Sequence, residues 1–152
     1  MTPSARLAKL GLSLPEVATP VGSYVPATRC GEWILTSGQI PMSGSKPLCT
    51  GKVGADVSLD AAREAARLCV LNAVAATASE AGGVDRIKRI VRVCVFVAST
   101  ADFTDQPQVA NAASDLLFDI FGEAGRHVRS AVGVASLPLN VPVELELVAL
   151  VT

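Results

Sequence analysis

The chain has 152 residues, half of them hydrophobic but only 4% aromatic, and its 13 Lys and Arg nearly balance its 14 Asp and Glu. That length is one ordinary domain with a core of its own, and the charge balance argues against a nucleic-acid partner held through its phosphates, which needs a basic surface. No apolar run is long enough to cross a bilayer, so a mean hydropathy of +0.44 points instead to surface buried between subunits.

In chain order, SARLAKLGL predicts a short helix ahead of Pro15. The N-terminus lacks the apolar centre of a signal peptide. Cys30, Cys49, Cys69 and Cys94 form no C-x-x-C pair and have no histidine at ligand spacing. They read as reduced thiols of a cytoplasmic protein, with no metal site at their spacing. Two strands are predicted next, Tyr24–Thr28 and Trp33–Ser37, turning near Cys30–Glu32. PMSGSKPLCTGKVG is a loop by its Gly and Pro content, with a short strand around Leu48–Val53.

Ser58 suits a helix N-cap, with Asp60 in the first turn, and Gly82-Gly83 stops that helix at about Ala81. Its second half, LCVLNAVAATA, is small and apolar all round apart from Asn72, which predicts burial on more than one side. Arg86–Val97 reads as a long strand, with Val91, Val93, Val95 and Val97 on the face toward the helices and Ile90, Arg92, Cys94 and Phe96 on the other. Pro107 opens a second helix that ends before Gly122. Its core stripe is Val109, Ala113, Leu116, Leu117 and Ile120; its wet stripe is Gln108, Asn111, Asp115 and Asp119. Strands Val128–Ser136 and Val143–Val151 follow. No repeat or linker divides the chain, so residues 1–152 are one domain, with 1–19 as an N-terminal extension. The order predicts an α+β domain, one sheet with two helices on one face, and leaves the other face for a partner.

Chemistry concentrates in GRHVRSAVGVASLP. The two-residue period sends Val132 and Val134 to the core and Arg129, Ala131, Gly133 and Ala135 the other way. Arg129 then heads a row of small side chains, room in which a planar guanidinium could hold a carboxylate bidentately; a salt bridge between subunits reads equally well. In VPVELELVALV, Glu144 and Glu146 share a face, where a carboxylate could position or deprotonate water or simply be solvated. His127 titrates near neutrality, but no thiol or serine partner is identifiable. Ser37 in TSGQIP lacks an assignable base, so it is a hydrogen-bonding residue rather than a nucleophile.

Four blocks in order, PVGSYVPA, ILTSGQIP, NAASDLLF, and VRSAVGVASLP followed by VELELVAL, resemble the RidA/YjgF family of imine and enamine deaminases, also known as the L-PSP endoribonuclease family. The resemblance implies the fold of the bacillary chorismate mutase, one mixed sheet assembled as a homotrimer with sites between subunits. It implies hydrolysis of 2-aminoacrylate and related 2-imino acids to 2-keto acids and ammonia, without cofactor or metal. Carried over by position, Arg129 holds the substrate carboxylate and Glu144 orients the water. Tyr24, Ser37, Asn111 and the backbone of Ala131 line the pocket. Many members have cysteine where this chain has Ala131. The N-terminal extension, the loop at 41–54 and FGEAGRHVRS also depart from the best-known deaminases. A non-catalytic trimer that binds small carboxylates needs the same arginine and is the alternative; RNA cleavage fits the slight negative charge poorly, and a chorismate mutase reaction rests on fold analogy alone.

Overall fold

The computed structural model describes all 152 residues. Helix α1 spans Pro3–Lys9, α2 Leu59–Ala81 and α3 Gln106–Phe121. The strands are β1 Ala27–Cys30, β2 Trp33–Thr36, β3 Met42–Ser43, β4 Lys46–Pro47, β5 Ile87–Ala98, β6 Val128–Val134 and β7 Val143–Val151. The main sheet runs β1-β2-β7-β5-β6, while β3 and β4 form a separate small hairpin. Only β5 and β6 are parallel, as their connection through α3 requires. The sheet is therefore mixed.

The helices begin and end on local chemistry. Ser58 Oγ accepts the Ala61 amide at 3.1 Å, and Gly82 closes α2 in the left-handed region at φ 84°. From Ala73 to Ala78 every residue of α2 is buried. Asn72 is buried too, and its amide donates to the carbonyls of Ile40 (3.0 Å) and Met42 (3.3 Å), tying the small hairpin to the helix. The predicted core stripe of α3 is fully buried. Helix α1 docks through buried Leu7, while Ser4 caps onto Asp85 through its amide and hydroxyl.

Four expectations shift. The first strand begins at Ala27, not Tyr24, because Pro26 has no amide to give a ladder. Leu48–Val53 forms no strand; Val53 makes only isolated bridges. Strand β5 carries register shifts at Ile87/Arg89 and Ile90/Arg92. An extra residue turns the side chains over, so Ile90 is buried in the core rather than beside Arg92.

The fourth concerns β6, whose faces are opposite to the expectation. Arg129, Ala131 and Gly133 pair with Val93, Val95 and Val97, all buried beneath the helices. Val132 points to the uncovered face and is 45% exposed. The alternation was right, but Val132 belongs with the apolar surface rather than the core. At Gly133 helix-side neighbours leave no room for a side chain. A Cβ on Gly133 would sit 2.8 Å from Gln106 Nε2 and 2.9 Å from Ser99 Oγ. The uncovered face also exposes Trp33 and Leu35 of β2 and Val128 of β6.

Candidate active site

The sequence-predicted residues separate into two groups on opposite faces of the sheet. The first surrounds Arg129 on edge strand β6. Its Nη1 donates to Asn111 Oδ1 at 2.9 Å and to Ser114 Oγ at 3.0 Å. Asn111 and Ser114 are three residues apart and so share one face of α3. Ser114 Oγ also lies 2.9 Å from His127 Nε2, and His127 Nδ1 lies 2.6 Å from the Gly125 carbonyl. Histidine therefore has the serine partner that the sequence did not reveal. Burial pushes the His127 pKa down; the bond to Gly125 opposes this, and the Arg129 charge adds to it. A cavity of about 510 Å³ opens here, lined by Ser114, Asp115, Phe118, Arg126, His127 and Arg129 among others. Arg126 is occupied elsewhere: its Nε meets Glu123 at 3.1 Å and its guanidinium lies over the Phe118 ring.

The second group surrounds Glu144 on β7. Glu144 pairs with Phe96 on the uncovered face and is half-buried. Burial raises its pKa, and the Glu146 charge on the same strand raises it further. Gly38 makes room for it, since any Cβ there would overlap the Glu144 carboxylate. This is the reason for glycine in TSGQIP: close approach, not turn conformation. A cavity of about 530 Å³ joins Glu144 and Gly38 to Tyr24, Ile40, Met42 and Leu139. Leu139 and Asn140, in the turn before β7, both hold positive φ, 55° and 57°. For leucine that backbone is strained, and it presents the Leu139 side chain over the cavity.

Ser37 stands behind this group. Its hydroxyl donates to the Val25 carbonyl at 2.5 Å, and its amide to Pro26 O at 2.8 Å. It thus pins the segment that carries Tyr24, which is itself exposed. Ala131 is half-buried and packs against the core beside Val95. No three His, Cys, Asp or Glu residues cluster closely enough to hold a metal, and all four cysteines are free. No helix is long and apolar enough to cross a membrane.

The separation of the two groups follows from the register. Phe96 pairs with Val132 on one side and Glu144 on the other. Glu144 is thus two strands from β6 and level with a residue three positions beyond Arg129. At ~4.8 Å between strands and ~3.3 Å per residue, the two backbones are ~14 Å apart, with side chains on opposite faces. Within one chain, Arg129 and Glu144 do not face a common space.

Residues 4–151 match the family described as "YjgF/chorismate mutase-like, putative endoribonuclease". The chain belongs to this family. The chain is similar to Protein TCP17 of Trypanosoma cruzi, 42% identical over 144 residues, which are 94% of this chain and 90% of that protein. The 2-iminobutanoate/2-iminopropanoate deaminase of Escherichia coli K12 is 35% identical over 129 residues, 85% of this chain and 88% of the deaminase. Among solved structures, a protein of unknown function from Agrobacterium tumefaciens superposes with a TM-score of 0.90 at 41% identity, covering 99% of this chain and 92% of that one. The mixed sheet and three helices described above are the YjgF fold.

Sequence reasoning missed Ser114 and Gly38. The signal for Ser114 was available, since it stands three residues after Asn111 on the wet side of a helix that begins at Pro107. Nothing in the sequence showed that β6 would present Arg129 to that helix.

Proposed function

We propose that the protein hydrolyses small 2-imino acids to 2-keto acids and ammonia, in sites that take Arg129 from one chain and Glu144 from a neighbour in a homotrimer. The observation that carries the reading is the clamped guanidinium. Asn111 and Ser114 occupy both Nη1 protons, which leaves Nε–H and the Nη2 protons as a free, pre-oriented fork for a carboxylate. The deaminase name of the Escherichia coli relative supports the reaction class.

Chemically, the substrate enters as an iminium acid. Water adds to the C=N carbon, and Glu144 accepts the proton lost by that water. The resulting carbinolamine takes the proton back on nitrogen from Glu144, and the C–N bond breaks with its electron pair leaving on ammonia. The hydroxyl proton is released as the C=O bond forms, so iminium and water give ketone and ammonium. A partly desolvated carboxylate with a raised pKa suits this two-way proton traffic. No covalent enzyme intermediate is needed, so alanine at position 131 in place of the family's cysteine is no obstacle. Tyr24, Ser37, Asn111 and the Ala131 backbone complete the site, Ser37 and Asn111 by holding Tyr24 and Arg129 in place.

The test couples the purified protein to a serine dehydratase that releases 2-aminoacrylate, and follows keto-acid formation. Acceleration by wild type and its loss in Arg129→Ala and Glu144→Gln support the reading. No acceleration together with calorimetric binding of 2-ketobutyrate would instead establish a carboxylate-binding protein without turnover.

A further inference from the structure

The only histidine in the chain completes a hydrogen-bond relay whose proton positions follow from the partners alone. A backbone carbonyl can only accept, so His127 Nδ1, 2.6 Å from Gly125 O, carries the ring proton. In the neutral ring Nε2 is then bare, and the Ser114 hydroxyl donates to it at 2.9 Å. With its single proton committed to His127, Ser114 Oγ turns its lone pairs to Arg129 Nη1 at 3.0 Å. Every donor has one direction: Arg129 to Ser114, Ser114 to His127, His127 to Gly125.

We infer that Ser114 and His127 are positioning residues that fix which edge of Arg129 meets the substrate, so that the carboxylate docks side-on, across Nε and Nη2, and not end-on across the two Nη atoms. The inference rests on the carboxylate-binding role proposed for Arg129; the relay itself does not. It explains a histidine that reaches no reacting atom, and it assigns a purpose to the segment in which this chain departs from the best-known deaminases. Asn111 alone would leave one Nη1 proton free, so that the two Nη atoms together could receive a carboxylate end-on. A hydroxyl whose proton is spoken for is a dedicated acceptor and removes that freedom. Protonation of His127 would turn Nε2 into a donor and set a second cation beside Arg129. The other charged side chains lining the same cavity are Asp115 from α3 and Arg126, the latter already paired with Glu123.

Because the chain has one imidazole, nitrogen-15 multiple-bond NMR on the full-length protein reads its tautomer without assignment. The expected spectrum is Nδ1–H with bare Nε2; an Nε2–H tautomer overturns the relay. Calorimetry with 2-ketobutyrate then compares variants. Ser114→Ala and His127→Ala are expected to weaken binding about tenfold, the loss of one charge-assisted or relayed hydrogen bond, and to raise KM while kcat stays within about twofold. Ser114→Thr, which keeps the hydroxyl, and His127→Gln, whose amide oxygen can accept from it, are expected to restore most of the affinity. Equal weakening by Ser114→Ala and Ser114→Thr, or wild-type affinity in Ser114→Ala and His127→Ala while Arg129→Ala fails to bind, overturns the positioning role and leaves the proposed function standing. Wild-type affinity in Arg129→Ala overturns the carboxylate role beneath it and this inference with it.

Discussion

Two inactive variants should rescue each other. Arg129 and Glu144 are on opposite faces of the sheet, their backbones ~14 Å apart, so one small substrate can touch both only where two chains meet. Arg129→Ala and Glu144→Gln should each abolish turnover alone. Co-refolded in equal amounts, they reassort into mixed oligomers. A site is intact when the chain giving Arg129 is the Glu144 variant and its neighbour giving Glu144 is the Arg129 variant. With random assortment about one quarter of all sites meet that condition, and in a trimer each mixed assembly carries one such site. The mixture should therefore recover about a quarter of the wild-type rate in the coupled keto-acid assay. A same-chain site gives no intact combination at all, because every chain lacks one of the two residues. Mixed oligomers, verified by differently tagged chains, with no recovered activity would refute the two-chain reading.

Arg129→Lys keeps the charge but not the fork. An ammonium has three protons, two of which Asn111 and Ser114 would take, so at least one charge-assisted bond worth about 1.5–3 kcal/mol is lost; kcat/KM should fall about 10- to 150-fold, and a change under twofold would refute the bidentate contact. Gly38→Ala drives a methyl into the Glu144 carboxylate, so it should lower kcat sharply while 2-ketobutyrate binding at Arg129 persists. Asn72→Leu leaves the Ile40 and Met42 carbonyls without their donor and should cost about 2–4 kcal/mol in denaturant unfolding, loosening the small hairpin that lines the Glu144 cavity. His127 has a folded pKa below its ordinary value of 6.5, so as pH falls from 6.5 toward that lower value the unfolded chain takes up the proton first and stability declines. Stability is flat above that window on this account, and the Tm gap between wild type and His127→Gln should narrow between about pH 7.5 and about pH 5.5.

What the sequence made legible was what is encoded locally. Ser58, Gly82 and Pro107 fix helix ends by their own backbone and capping chemistry, and the residues around them need no tertiary information. The two-residue period along β5 and β6 was equally plain. It fails where one residue is inserted: the shift between Ile90 and Arg92 reverses the faces upstream of it, and no composition marks it. The period also cannot say which face is inside. Val132 and Arg129 are on alternate faces of β6, and hydrophobicity favoured Val132 as core. The uncovered face is apolar too, however, with Trp33, Leu35 and Val128 exposed on it. Where both faces are candidates for burial, hydropathy carries no sign. Arg129 and Glu144 could be picked out by family resemblance, but their placement on opposite faces is a consequence of pairing register.

The two halves of the site have opposite unmet needs. Arg129 keeps an Nε–Nη2 edge with no protein acceptor. The Glu144 carboxylate receives no hydrogen bond and is disfavoured by burial and by Glu146. A 2-imino acid is itself divided in this way, with a carboxylate at one end and a protonated imine at the other. In the proposed reaction its anionic end satisfies the fork while its cationic nitrogen approaches Glu144. That approach favours the ionised carboxylate, the form that the attacking water requires as its base. A 2-keto acid satisfies only the arginine half and leaves Glu144 unpaired, which favours release of product over its retention. A polyanion such as RNA meets the same arginine but is repelled by Glu144 and Glu146. In the proposed two-chain site, halves of this polarity would select a small dipolar acid without a nucleophile at position 131.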